Sequence, residues 1–225
     1  MQNSKVPVRV TMASWPPRIK YVERAVRSLL DQTMAPDSID LNLSRQEFPD
    51  GIDNLPDGLL QLIADRKVTL NWEEGNTYVF RKEVPTIKKY YGEDYILLVC
   101  DDDCFYSRGY VERIVANLGN NDAYCSEPGV VGNRVAFRGG VFKPMFWERL
   151  TQEVIDCGIS DTYIGIYLLK VGAKCKWVRD PVLDDMIGGI DNAALDHPNS
   201  ERIGGYTRER CVLADMLSRK ALGLL

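Results

Sequence analysis

Residues 95–105 read "YILLVCDDDCF", an apolar run that ends in three consecutive aspartates. Adjacent carboxylates repel one another unless water, a cation or a hydrogen-bond donor balances them. Asp-x-Asp at the end of a buried strand suits a hard divalent cation. Mg²⁺ and Mn²⁺ take oxygen ligands and are usually held by one or two carboxylates, waters and the phosphates of a substrate. In an extended segment Asp101 and Asp103 share one side and Asp102 takes the other. The chemistry on offer is therefore metal-assisted handling of a diphosphate. The plainer reading is an acidic turn without metal, leading into a helix capped by Ser107.

The elements that must position these carboxylates alternate. "VPVRVTMAS" (6–14) reads as a strand, and "PPRIKYVERAVRSLLDQT" (16–33) as a helix opened by prolines. "SIDLNLS" (38–44) is a second strand, "LPDGLLQLIADR" (55–66) a short helix and "KVTLNWEEG" (67–75) a third strand. "VFRKEVPTIKKYYG" (79–92) is expected to be helical and broken near Pro85. "DYILLVCDDD" (94–103) is the fourth strand, and its apolarity predicts a central position. Such alternation implies βαβ units and a mostly parallel sheet, with ligands outside the carboxyl ends of the strands. Ser14, Ser44, Glu73 or Glu74 and the aspartates would then line one rim.

The second half is less regular. Residues 107–119 and 160–172 read as helices, 129–147 as strands and turns, and 173–178 as a short strand. The polar stretch 188–205, bounded by glycine pairs, reads as a candidate lid. Residues 207–225 form an amphipathic helix whose apolar stripe is expected to pack on the domain, with a membrane surface as its other use. One domain over 1–225 is expected, with a nucleotide-binding half to about 105 and a catalytic half from about 106.

Composition narrows the classes. The chain has 225 residues, a formal net charge of −4 and 45% apolar residues. Nothing in it forms the basic stripe of a nucleic-acid binder. No apolar run approaches the ~20 residues of a membrane span, and "MQNSKVPVRV" lacks the apolar core of a signal peptide. The six cysteines show no metal spacing and read as reduced thiols, which points to a cytoplasmic protein.

"VTMASWPPRIKYVERAVRSLLDQTMAPDSIDLNLS" (10–44), "YILLVCDDDCFYSRGYVERIV" (95–115), "RGGVFKP" (138–144) and "SDTYIGIYLLKVGAK" (160–174) follow one another in a familiar order. Together they resemble small bacterial and viral glycosyltransferases of the GT-A fold, the glycosyltransferase 2-like group with a DxD motif. The resemblance covers about residues 8–180 and implies an α/β fold with a Rossmann-like, mostly parallel sheet flanked by helices.

The resemblance also implies roles. Asp101 or Asp102 would contact the ribose of the donor and Asp103 would bind Mn²⁺ or Mg²⁺. Thr11, Ala13 and Ser14 would hold the base, and Arg18 and Lys82 the diphosphate. Asp161 would be the base of an inverting reaction, and His197, the only histidine, would complete the metal shell. The implied donor is a nucleotide-diphosphate sugar, with a UDP-sugar expected, and the acceptor a hydroxyl, on a glycan in polysaccharide biosynthesis. If Asp161 is not the base, a retaining reaction stays open.

Other classes share parts of this pattern. A haloacid-dehalogenase-like phosphohydrolase also uses strand-Asp-x-Asp, but Phe105 stands where that motif needs Thr or Val, and three strands precede it here. A sugar nucleotidyltransferase would carry a Gly-rich loop after strand one, where this chain has "SWPPR". A non-catalytic nucleotide-sugar-binding module would keep the aspartates and leave Asp161 idle.

Overall fold

A computed structural model describes residues 6–126, 135–178, 186–189 and 208–225. Strand β1 (Val8–Ala13) sends Val8, Val10 and Met12 into one core, against helices α1 (Ile19–Leu30), α2 (Asp57–Ala64) and α4 (Tyr110–Leu118). Strand β4 (Ile96–Val99) alternates likewise. Ile96 and Leu98 join that core, while Leu97 and Val99 join a second one on the other face. Burial on both faces explains why the run 96–99 is apolar throughout.

β1 pairs in parallel with β2 (Ser38–Ser44) and with β4, and β2 in parallel with β3 (Thr69–Glu73). β6 (Ala123–Ser126) pairs in parallel with β8 (Cys175–Val178). β7 (Val135–Arg138) runs antiparallel between β4 and β6. The resulting seven-stranded order is β3-β2-β1-β4-β7-β6-β8, which places β4 in the middle as its apolarity predicts. Strands from both halves of the chain share this sheet. A separate two-stranded sheet joins β5 (Cys104–Tyr106), directly after the aspartates, to β9 (Met186–Gly189).

The second core gathers α3 (Val84–Lys89), α5 (Met145–Glu148), α6 (Gln152–Cys157), α7 (Ser160–Lys170) and part of α8 (Arg208–Ala221). Gly158, at φ 70, ends α6 in the left-handed conformation that glycine adopts without steric cost. At Gly139 an added Cβ would lie 2.2 Å from the Tyr95 ring, so only glycine lets β7 turn there.

Several local expectations are corrected. Residues 79–92 do not form one helix broken at Pro85. A 3-10 turn (Tyr78–Lys82) precedes α3, and Pro85 lies in the first turn of α3, where its missing N–H costs nothing. α4 starts at Tyr110 behind Gly109, and the Ser107 hydroxyl accepts from Arg113 at 3.0 Å instead of capping the helix. α8 packs through Ala214 and Ser218, with Leu222 buried just after it, yet leaves Val212, Leu213 and Met216 exposed, so part of its apolar surface faces outward. Of the candidate lid, residues 188–189 belong to β9 and the rest lies outside the described residues.

Candidate active site

The three aspartates follow β4 as a tight turn rather than an extended segment. All are nearly buried, Asp103 at 1% exposure. Their charge is balanced from two directions. Lys82 Nζ lies 2.8 Å from Asp101 Oδ1. Arg18 pairs with Asp102, which also accepts from Ser14 Oγ at 2.6 Å, and with Asp103 Oδ2 at 2.5 Å. Three carboxylates thus meet two cations, which leaves a formal charge of −1 for a further cation to balance.

Tyr106 fixes the backbone of the turn. Its hydroxyl accepts from the Asp101 N–H at 2.6 Å and donates to the Asp101 carbonyl at 3.1 Å. Burial pushes the Asp103 carboxyl up to about 7, with Arg18 pulling it down. Burial likewise raises Asp102, against Arg18 and Ser14.

One oxygen of Asp101, one of Asp103 and the Cys104 Sγ lie within 4.8 Å of one another. Two carboxylate oxygens fit a hard divalent cation that completes its shell with water and phosphate. Burial pushes the Cys104 thiol up, and its soft sulfur is a poor donor for a hard ion of this kind. The donor set therefore suits Mg²⁺ or Mn²⁺. His197 lies outside the described residues.

The predicted residues divide into two groups. Ser14, Arg18, Lys82 and the three aspartates meet at the carboxyl ends of β1 and β4. Ala13, the last residue of β1, sits half-buried beside them. Thr11 does not reach the rim. It is fully buried, with its hydroxyl bonded to the Lys82 carbonyl at 2.5 Å, to Thr86 at 2.8 Å and to Asn42 at 3.0 Å. Arg18 is spent on aspartates rather than projecting toward a diphosphate. Asp161, second residue of α7, is half-buried and acts electrostatically on Lys82 and Glu83.

Two residues that sequence reasoning missed stand behind this cluster. Arg81 is buried, pairs with Glu47 at 2.8 Å and donates to the Ser14 carbonyl at 3.1 Å, which anchors the end of β1. Glu83 is 1% exposed, and its Oε2 meets no hydrogen-bond donor among the described residues. Burial pushes its carboxyl up to about 8, with Lys82 pulling down and Asp161 pushing further up. Burial works against the Lys82 charge, but Asp101, Glu83 and Asp161 outweigh it and raise its pKa. The tripeptide "RKE" (81–83) gave no signal of this, because three consecutive charges read as a solvated face.

No protein-family model and no curated protein sequence matches the chain. Solved structures do. The Pyrobaculum calidifontis mannosyltransferase PcManGT, solved with GDP-Man and Mn²⁺, aligns at TM-score 0.56 and 14% identity, over 98% of this chain and 73% of that one. S. aureus TarS 1–349 with UDP aligns at 0.51 and 11%, over 78% of this chain and 59% of that one. The chain thus spans less than two thirds of the TarS fragment. The 4-diphosphocytidyl-2C-methyl-D-erythritol synthase of Anaerococcus prevotii DSM 20548 aligns at 0.57 and 13%, over 94% and 97%. At these identities the likeness shows the fold, a mostly parallel Rossmann-like sheet of the GT-A type flanked by helices.

Proposed function

We propose that the protein transfers a sugar from a nucleotide-diphosphate donor to a hydroxyl acceptor, with a divalent cation. The observation that carries this reading is the turn Asp101–Asp103 after the central strand, where Lys82 and Arg18 converge and Asp161 stands close by. Two of the three solved structures described above are a glycosyltransferase with bound GDP-Man and Mn²⁺ and TarS with bound UDP. A UDP-sugar donor, a glycan acceptor and a role in polysaccharide biosynthesis belong to this reading.

Each residue has a task. Asp101 or Asp102 holds the ribose, and Ser14 keeps Asp102 oriented. A cation held by Asp103, with Asp101 beside it, would neutralise the leaving diphosphate. Lys82, kept charged by its carboxylate neighbours, adds fixed positive charge where negative charge develops. Asp161 takes the proton of the acceptor hydroxyl as the oxygen attacks the anomeric carbon, which gives inversion. Glu83, neutral near pH 7, adds no further negative charge to a cluster that already holds several carboxylates.

Nucleotidyl transfer is the second reading, because the synthase neighbour matches nearly the whole length of both chains. The residues after β1, "SWPPR", lack the glycine-rich loop that such chemistry usually places there. The two reactions leave different products. Incubation with UDP-, GDP- and dTDP-sugars and Mn²⁺ should release nucleoside diphosphate, and EDTA or Asp103→Asn should stop it. Asp161→Asn should cut turnover by about 100-fold or more while nucleotide binding persists. Pyrophosphate release from a nucleoside triphosphate and a sugar phosphate, with no diphosphate from any donor, would sink the transfer reading.

A further inference from the structure

A cavity of about 630 Å³ opens between α6, α8 and the 3-10 turn, within the ~300–1,000 Å³ of small-ligand sites. Two segments of chain connect it to the candidate site. Its Tyr78 begins the 3-10 turn that ends at Lys82, and its Cys157 ends the helix that leads through Gly158 into α7 and Asp161. Tyr78 holds φ at 50, a left-handed conformation that a bulky residue keeps only where its surroundings impose it. A strained aromatic in a cavity wall points to function there.

The lining has the chemistry of a saccharide site. Tyr78, Ile155 and Leu213 supply apolar surface for the C–H faces of a sugar ring. Glu153 and Asp156, three residues apart on α6, present acceptors for hydroxyl groups. Asp156 takes one donor, Gln152 at 2.8 Å, and a carboxylate can accept several more. Arg210 is tied to the Cys157 carbonyl. Among the described residues of the lining, two carboxylates thus meet one guanidinium already engaged with the backbone, and their balance is acidic. Like charge across an interface is a strong means of rejecting a ligand.

We propose that this cavity is the acceptor subsite, taking a neutral or amine-bearing saccharide and rejecting a phosphorylated one; the proposal rests on the transfer reading above. The test uses saturation-transfer NMR on the full chain with cellobiose, a glucosamine disaccharide and maltose phosphate. UDP with Mn²⁺ is followed by thermal shift in the same samples. Cellobiose and the glucosamine disaccharide should bind, and maltose phosphate should bind at least about tenfold more weakly. Leu213→Trp, at an exposed position, should fill the cavity and abolish saccharide binding without moving the nucleotide shift. Glu153→Lys, also exposed, should narrow or reverse the discrimination against phosphate. No saccharide signal with an intact nucleotide shift overturns the subsite alone. So does equal or tighter binding of maltose phosphate, or a signal that Leu213→Trp leaves unchanged. Saccharide binding with no nucleotide shift overturns the transfer reading and leaves the saccharide site standing.

Discussion

The two acidic regions of this molecule are built on opposite terms. At the end of β4 three carboxylates are at most 8% exposed, and every one is matched to a cation or hydroxyl. Along α6, Glu153 and Asp156 stand exposed at the mouth of a cavity, and neither needs a counter-charge to exist there. Burial makes the first set fixed and costly to disturb. Solvent makes the second cheap to alter and free to adapt to a ligand. A donor site that must hold a polyanion in one geometry gains from the first arrangement, and a subsite that samples hydroxyls gains from the second.

Breaking the buried set should have the largest effect. Arg18→Ala leaves Asp102 and Asp103 without their guanidinium, and loss of one partner of a buried pair costs about 3–5 kcal/mol. Urea unfolding in EDTA should show it as a lower midpoint. Mn²⁺ should raise the midpoint of the variant more than that of wild type, because the cation replaces charge that Arg18 supplied. An unchanged midpoint in EDTA would mean that these contacts contribute nothing to the fold.

Next comes the latch on the backbone. Tyr106→Phe deprives the Asp101 N–H and carbonyl of one buried partner. Stranding such groups costs about 1–3 kcal/mol. Diphosphate release should fall as well, since the turn loses its anchor. Equal stability and equal activity in the variant would remove Tyr106 from the account.

How much of this was legible depends on the range of the signal. The four leading strands, the central place of β4 and the rim at the strand ends follow from local apolar patterns and from the rule for parallel sheets. The meeting of Lys82 with Asp101 was also within reach, because the segment that leaves the carboxyl end of β3 starts on the same rim at which the parallel β4 ends. Thr11 misled because its position in β1 fits the rim, whereas its hydroxyl is consumed by Thr86 and Asn42, residues distant in the chain. Glu83 was invisible for the same reason. Burial is a property of packing, and a glutamate in a charged tripeptide reads as solvated. The cavity between α6 and α8 joins residues 78 and 213, a juxtaposition that no periodicity encodes.

Glu83 tests the contrast through pH. Its carboxyl rises from an ordinary 4.5 to about 8 on folding, chiefly through burial. Below that lower value both states are protonated. Through the window up to about 8 only the folded state keeps the proton, so rising pH lowers stability, and above it the loss is complete. Glu83→Gln should remove this slope. The variant's urea midpoint should gain on wild type between about pH 5 and pH 8, and parallel midpoints would place Glu83 in a wetter setting.

The smallest effect should come from the exposed acids. Glu153→Gln removes a charge that water already solvates, so its stability change should stay within about 0.5 kcal/mol at any pH. It keeps the side chain's size and its capacity to accept, so cellobiose binding should survive. The same charge is half of the acidic balance that would turn phosphate away, so maltose phosphate should gain affinity by a few-fold (roughly 1 kcal/mol or less). Stability unmoved while selectivity moves is the signature of a carboxylate placed for a ligand rather than for the fold. A destabilisation like that of Arg18→Ala would instead make Glu153 part of the scaffold, and the contrast between the two acidic regions would collapse.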